Sequence, residues 1–416
     1  MLSPSPGLIA LPQLTLPTAV APQCRLCVTI PAKDEANYLP ATLAALYEQL
    51  ALDGTALDRA CYEVILFANN CTDATAAVAR QFGRQHPDFR LHVIERTLPP
   101  EIANVGAARR IMMGAAARRL PAEGIICTTD ADTLVDTQWI AATLRAFDRG
   151  ARAVGGRIVV PATTRTAYRK IHLQDVTYRS LQAHLESIID PSEEDPWPRH
   201  FQHYGPSTAV RVDAYLDCGG MPAVRCIEDV ELAWALERID VQFVHDPSVK
   251  VYTSDRQSDR IAGVGFSHAL DEWTNMLQED RRPRVGGLQR CLHLFKWKVA
   301  LRKAFFSGGS SKELPALDSL LDFLGISRTV LEQTIADAET FGALYQHIRR
   351  RVEGKHEFSD TTFDQAIRDL RRFTHSARAA TPCASRHQVG SDRPAPASSG
   401  TFPEAVRGMP RAPHLP

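Results

Sequence analysis

The sequence predicts an α/β fold, a mostly parallel sheet flanked by helices, followed by a C-terminal helical extension. Two observations carry this. From about Cys24 to Asp148, short apolar runs alternate with stretches of helical length, the pattern of strands joined by helical crossovers. The run Gly124-Ile125-Ile126-Cys127 then stops abruptly in Thr128-Thr129-Asp130-Ala131-Asp132. A buried strand ending in paired acids points to the carboxyl edge of a parallel sheet, where open α/β folds bind ligands.

The elements follow in order. Residues 1–23 are Pro-rich and read as a disordered lead. Arg25 to Ile30 is a buried strand broken by Pro31, and Leu39, Leu43, Leu46 and Leu50 then recur at helical spacing. Tyr62 to Phe67 is a second strand, followed by the polar turn Asn69 to Asp73 and an Ala-rich helix to about Arg84, with Asp73 placed as its N-cap. Leu91 to Ile94 is a third strand, Asn104 to Arg119 a helix, and Gly124 to Thr128 the fourth strand. Gln138 to Asp148 is helical and Ala151 to Val160 extended. Polar, less regular sequence runs to about Gly220. Residues 227–238 form an amphipathic helix and Val241 to Val244 a strand. The division expected is 24–265 for the sheet domain, 266–375 for the helical region, and 376–416 for a disordered tail rich in Pro, Ala, Ser and Arg.

Bulk properties narrow the classes. Lys+Arg and Asp+Glu both number 48, so net charge gives no argument for a nucleic-acid partner. No apolar run reaches the roughly 18–20 residues that span a bilayer. The first 22 residues hold five prolines and no basic n-region, unlike a signal peptide. The nine cysteines form no regular framework, which suits reduced thiols and a cytoplasmic protein. Cys24-x-x-Cys27 has no second CxxC to complete a zinc site and continues into an apolar strand.

The acidic pair has four companions. Carboxylate oxygens are the hard ligands that Mg²⁺ or Mn²⁺ prefers, commonly shared with a diphosphate, although a helix cap explains one acid equally well. Ile30-Pro31-Ala32-Lys33-Asp34-Glu35-Ala36 ends the first strand, where a loop and helix N-terminus can hold an anionic or nucleotide ligand. Ala68-Asn69-Asn70-Cys71-Thr72-Asp73 ends the second, on the same edge. Asn104-Val105-Gly106-Ala107-Ala108-Arg109-Arg110 opens a helix; one Arg can offset diphosphate charge while the other faces solvent. In Ile227-Glu228-Asp229-Val230-Glu231, Asp229 lies 97 residues beyond Asp132. Its acids can be dipole-favoured caps or a general base.

In this order and spacing the five segments resemble family 2 glycosyltransferases of GT-A, Rossmann-like fold, across roughly residues 24–260. Gly205 to Arg211 and Asp217 to Pro222 resemble the family's acceptor-side stretch. The resemblance implies a nucleoside-diphosphate sugar donor of UDP or GDP type and a hydroxyl acceptor, small-molecule, glycan or lipid-linked. It implies that Pro31, Ala32, Glu35 and Asn69 line the nucleotide pocket and that Asp130 contacts ribose or sugar. Asp132, with Asp130, would hold Mn²⁺ or Mg²⁺, and Asp229, with Glu228 beside it, would deprotonate the acceptor.

Two departures matter. The acid often found in the second-strand loop is replaced by Ala68 or Asn69. Where relatives carry a His near the last strand, this chain has Val251 to Arg260, in which Arg256 and Arg260 can engage diphosphate or an anionic acceptor, and residues 254–266 can form a lid. Residues 281–312 carry nine Lys/Arg and no acid among apolar residues, so 285–306 offers either a peripheral membrane contact or a helix packed on the catalytic domain. Processive synthases add membrane helices and a QxxRW motif; neither is present, which favours single transfer. The rival readings are a sugar-phosphate nucleotidyltransferase, whose Gly-rich first loop is missing, and an inactive binding protein, which would normally have lost the acids.

Overall fold

The structure, a computed structural model, describes residues 11–160, 168–253, 266–308, 314–353 and 360–380. The first half runs β1 (Leu26–Ala32), α1 (Leu39–Tyr47), β2 (Tyr62–Asn69), α2 (Thr75–Gln85), β3 (Leu91–Arg96), α3 (Val105–Arg119), β4 (Ile125–Thr128), β5 (Thr133–Val135), α4 (Trp139–Asp148), β6 (Ala153–Gly155) and β7 (Arg157–Val159). It continues through α5 (Tyr168–Ile189), β8 (Thr208–Arg211), α6 (Val212–Asp217), α7 (Glu228–Arg238), β9 (Phe243–Val244) and β10 (Lys250–Thr253).

The main sheet has seven strands in the order β3-β2-β1-β4-β8-β6-β9. All run parallel except β8, which lies antiparallel between β4 and β6. Alternate residues of the central strands feed two different cores. Leu26, Val28, Ile30, Val64, Leu66, Ile125 and Cys127 face α1 and α4, while Cys27, Ile65, Phe67 and Ile126 face α3, α6 and α7. Burial on both faces is why these strands read as continuous apolar runs.

β1 does not stop before Pro31. Its pairing with β2 continues through Pro31 opposite Phe67 and Ala32 opposite Ala68, whereas its pairing with β4 ends at Thr29 opposite Thr128. Odd-numbered residues of β1 face β4, as Thr29 does with its carbonyl, which accepts from Thr129 N. The missing N–H of Pro31 therefore points where β4 has already ended, and no ladder bond is lost. β1 and β2 therefore run on past β4, ending at Ala32 and Asn69, while β4 ends at Thr128 beside Thr29.

Several expectations change. The Pro-rich lead is packed from Leu11 onward: Leu14 and Ala21 are buried, and Arg118 and Arg119 donate to the carbonyls of Leu14 and Thr18. Apolar residues set between the prolines supply the burial without a regular element. The strand expected over 151–160 splits into β6 and β7, which join different sheets; β7 pairs with β10, itself paired with β5. The stretch read as irregular before Gly220 contains α5, a helix of 22 residues.

The helical extension comprises α8 (Phe266–Gln278), α9 (Leu288–Phe306), α10 (Asp318–Leu324), α11 (Arg328–Ala336), α12 (Phe341–Glu353) and α13 (Phe363–Ala380), with β11 (Arg284–Gly286) paired to β12 (Asp360–Thr362). α5 packs into it: Ile171, Tyr178 and Leu185 share a core with Cys291, Leu292, Phe363, Ala366 and Leu370. Lys298 pairs with Glu186 at 2.8 Å, and Arg302 bonds Asp190. Part of the apolar face of α9 is thereby covered: Trp297, Leu301 and Ala304 are buried in the bundle, while Phe306 is exposed. Among the described residues no helix is long and apolar enough to cross a membrane.

Candidate active site

The acids expected to act together do meet, and one buried side chain joins them. Arg109, on the inner face of α3 and only 2% exposed, makes four hydrogen bonds. Its Nε donates to Glu228 Oε1 at 3.0 Å, and one terminal nitrogen donates to Asp130 Oδ1 at 2.5 Å. The other donates to Thr128 Oγ1 and, at 3.3 Å, to the carbonyl of Gly205. The sequence reading gave this side chain to a diphosphate; in the structure its donors go to protein. Arg110, its neighbour, is exposed and bonds the carbonyls of Gly219 and Met221.

Each partner arrives for a local reason. β4 ends at Thr128, so Asp130 and Asp132 fall on the turn into β5 at the open sheet edge. α3 starts with Asn104 as a true N-cap, its side chain accepting from Ala107 N at 2.9 Å. Gly106 lets α3 approach the chain at Val224, whose carbonyl oxygen lies 2.0 Å from where a Cβ would sit. Ile227 enters α7 with a left-handed backbone at φ +54°, an unusual conformation for a β-branched residue, and Glu228 and Asp229 follow as the first helical residues.

Asp229 is held rather than loose. Its Oδ2 accepts from Gly205 N at 2.8 Å and its Oδ1 from Val230 N at 2.8 Å. Gly205 is required by space: an added Cβ would lie 2.6 Å from an Arg109 terminal nitrogen and 3.6 Å from Asp229 Oδ2. One residue therefore receives Arg109 on its carbonyl and holds Asp229 with its amide.

Electrostatics follow from crowding three acids, Asp130, Glu228 and Asp229, around one guanidinium, with Asp132 beside Asp130. Burial pushes the Asp130 carboxyl up to about 6; Arg109 opposes this, while Asp132 and Glu228 add to it. Burial also raises Glu228, again opposed by Arg109 and reinforced by Asp229. Without Arg109 both would be driven further toward the neutral form.

The nucleotide-side candidates line the adjoining edge. Pro31 and Ala32 close β1, and Asn69 closes β2, where it is buried with Oδ1 unpartnered among the described residues. Glu35 is buried in the β1–α1 loop, its N–H bonded to Thr75 Oγ1 at 2.8 Å. The two loops are stitched by residues the sequence did not single out for this: Asp34 Oδ1 accepts from Thr72 N at 2.6 Å, and Asp73 Oδ2 accepts from Ala36 N at 3.0 Å. Asp73 is thus a cross-loop brace as well as a partner of the helix start: its Oδ1 accepts from Thr75 N, the first residue of α2, at 2.9 Å. Arg256, Arg260 and the proposed lid over 254–266 lie almost wholly outside the described residues, which resume at Phe266.

A divalent ion would find two kinds of donor here. Among the described residues, Asp34, Cys71 and Asp73 alone form a group of three potential ligands within 4.8 Å of one another, and the amides just named occupy those carboxylates. Asp130 and Asp132 make no closed cage. They suit an ion that takes one or two carboxylates and completes its shell with phosphate oxygens.

A family model described as glycosyl transferase family 2 matches residues 27–214, taking in β1 through α6 and both Asp130 and Asp132 but stopping short of Glu228. No curated protein sequence matches the chain. Among solved structures, the mannosyltransferase PcManGT from Pyrobaculum calidifontis in complex with GDP-Man and Mn²⁺ is similar at 18% identity, covering 83% of this chain and 91% of that one, with a TM-score of 0.43. TarS 1-349 from S. aureus in complex with UDP-GlcNAc is similar at 12% identity over 85% and 92%, with a TM-score of 0.41. GalNAc-T7 with UDP, GalNAc and Mn²⁺ is similar at 10% over 80% and 58%, with a TM-score of 0.42.

Proposed function

We propose, from the glycosyl transferase family 2 model that matches residues 27–214, that the protein moves one sugar from a nucleoside-diphosphate donor, of UDP or GDP type, to a hydroxyl acceptor with help from a divalent ion. The observation that supports this best is the meeting of the strand-end acids with the α7 acids on Arg109 and Gly205. A donor acid and a base candidate are thereby fixed relative to each other.

In this reading Asp132, with Asp130, would hold Mn²⁺ or Mg²⁺. The ion supplies Lewis-acid neutralisation of the leaving diphosphate. Arg109 favours the ionised form of Asp130 that such binding needs. Pro31, Ala32, Glu35 and Asn69 form the wall for the nucleoside. Asp229 stands ready at the acceptor side, its carboxylate oriented by two backbone amides. In an inverting transfer the acceptor oxygen bonds to the anomeric carbon, the carbon–phosphate-oxygen bond breaks, and the acceptor proton passes to Asp229. A base so placed contributes roughly 10²–10⁴-fold.

The test is release of nucleoside diphosphate from a panel of UDP- and GDP-sugars with Mn²⁺, water or a sugar alcohol serving as acceptor. Turnover with one donor, lost in Asp229→Asn, is the expected result. An Asp229→Asn protein turning over near the wild-type rate removes Asp229 as base, and no turnover with any donor removes the transferase reading of this site.

A further inference from the structure

Behind the Gly205 loop lies a polar chain that none of the roles above uses. Asp195, 5% exposed, accepts the backbone N–H of His245 on Oδ1 and faces the His245 ring Nδ1 with Oδ2, both at 2.8 Å. Burial works against its charge, but the hydrogen bonds from His245 win and hold the Asp195 carboxyl below its usual range. An ionised carboxylate only accepts, so the proton of that bond sits on His245 Nδ1. The far nitrogen of the same ring, Nε2, meets His203 Nδ1 at 3.2 Å. His203 also stacks on Phe243, ring centroids 4.9 Å apart, and its carbonyl accepts from Thr208 Oγ1 at 3.1 Å. Two residues on, Gly205 holds Asp229 and receives Arg109.

We propose that the Asp195–His245–His203 chain is a positioning device that sets the Gly205 amide, and through it the Asp229 carboxylate, for reaction. The inference rests on the reading of Asp229 as base and deepens it. An apolar ring at 203 would pack on Phe243 equally well but would have no directional contact to fix its angle. The polar chain supplies that direction from one end, because Asp195 is itself clamped by Arg199 at 2.9 Å and Arg199 by Glu186 at 2.9 Å. Buried polar networks that are fully paired specify one geometry in this way. Burial pushes His203 down to about 3, so its ring stays neutral throughout the range in which the enzyme would work.

The experiment compares His203→Leu, which keeps bulk without a polar atom, with His203→Asn, whose amide occupies the place of ring Nδ1 and can either donate or accept. With the donor found above, His203→Leu should lower kcat about tenfold while the donor KM stays within about twofold, since displacement of a reacting group costs rate before it costs binding. His203→Asn should recover most of that loss. Equal rates in the two variants, or a wild-type rate in His203→Leu, overturn the proposal. If His203→Leu does not fold, His245→Asn replaces it: it keeps the contact to Asp195, drops the one to His203, and should be as slow. Asp229→Asn run beside them separates the failures, because a silent Asp229→Asn with indistinguishable His203 variants removes only the positioning chain. Hydrogen exchange at the Gly205 amide needs no donor. It should quicken in His203→Leu and return in His203→Asn, and unchanged exchange in both counts against the chain.

Discussion

Arg109 and Glu228 stand 119 positions apart in sequence and share a buried 3.0 Å hydrogen bond. That bond closes the site, because the same guanidinium also holds Asp130, only 21 positions away. Strand-end and helix-start acids become one cluster through a single cation.

Removing that cation should be severe. Arg109→Ala leaves Glu228 buried and unpaired beside a half-buried Asp130, and breaking a buried pair in this way costs about 3–5 kcal/mol. Arg109→Lys keeps charge but cannot reach Glu228, Asp130 and Thr128 from one planar fork. We expect urea unfolding to show the full loss for Ala and a partial loss for Lys. Nucleoside-diphosphate release should fall at least about 100-fold in both, since the donor and base groups lose their common anchor. A Lys variant with wild-type turnover would refute this account of the site.

Asp132 should separate binding from folding. It is half-buried on the β4–β5 turn, and its charge pushes the neighbouring Asp130 carboxyl up, so Asp132→Ala should leave the metal-free protein folded. A nucleotide at 100 times its dissociation constant stabilises a protein by about 2.7 kcal/mol. The thermal shift given by UDP or GDP with Mn²⁺ should therefore be present in the wild type and absent in the variant. An equal shift in both would take Asp132 out of the metal site.

Ile227 tests the strained entry to α7. A left-handed L-residue costs about 1–2 kcal/mol, and glycine removes that cost while losing some chain entropy. With a side chain that is 38% exposed, Ile227→Gly should be neutral or stabilising by up to about 1 kcal/mol in chemical denaturation. A loss above about 1 kcal/mol would mean that the side chain, not the backbone angle, matters there.

The strand-end acids were legible because β4 stops in them: an apolar run, a Thr pair and Asp-x-Asp are all local. The α7 acids were legible for the same reason, as acids opening an amphipathic helix. Arg109 was visible as a residue but not in its role, because a basic pair at a helix start reads alike whether it faces phosphate or protein. Helix α5 was missed although Ile171, Tyr178 and Leu185 recur at seven-residue spacing; its other faces carry polar residues, among them Asp175, Arg179 and Glu186, and these masked the stripe. Asp195, His203 and His245 gave no sequence signal at all. They come from two separate segments, the connection from α5 to β8 and the end of β9, and have meaning only once β9 is laid beside the Gly205 loop.

The buried imidazoles give the protein a pH dependence whose sign can be worked out. Burial, together with the nearby His245, pushes both His200 and His203 down to about 3, against about 6.5 in an unfolded chain. Between those values the unfolded state binds protons that the native state refuses. Stability is therefore complete above about pH 6.5 and falls as the pH drops toward 3, each group contributing a slope of up to about 1.4 kcal/mol per pH unit. Asp130 works in the opposite sense, since its carboxyl, raised to about 6, makes the native state the better proton acceptor from about pH 4 to 6. The clean comparison is thus wild type against His203→Asn, with Asp130 common to both. Urea unfolding from pH 7.5 to 4.5 should show the variant gaining on the wild type as the pH falls, the difference opening only below about 6.5. Parallel stability curves would mean that His203 accepts a proton in the folded protein as readily as in the unfolded one, and that its ring is not sequestered behind the Gly205 loop.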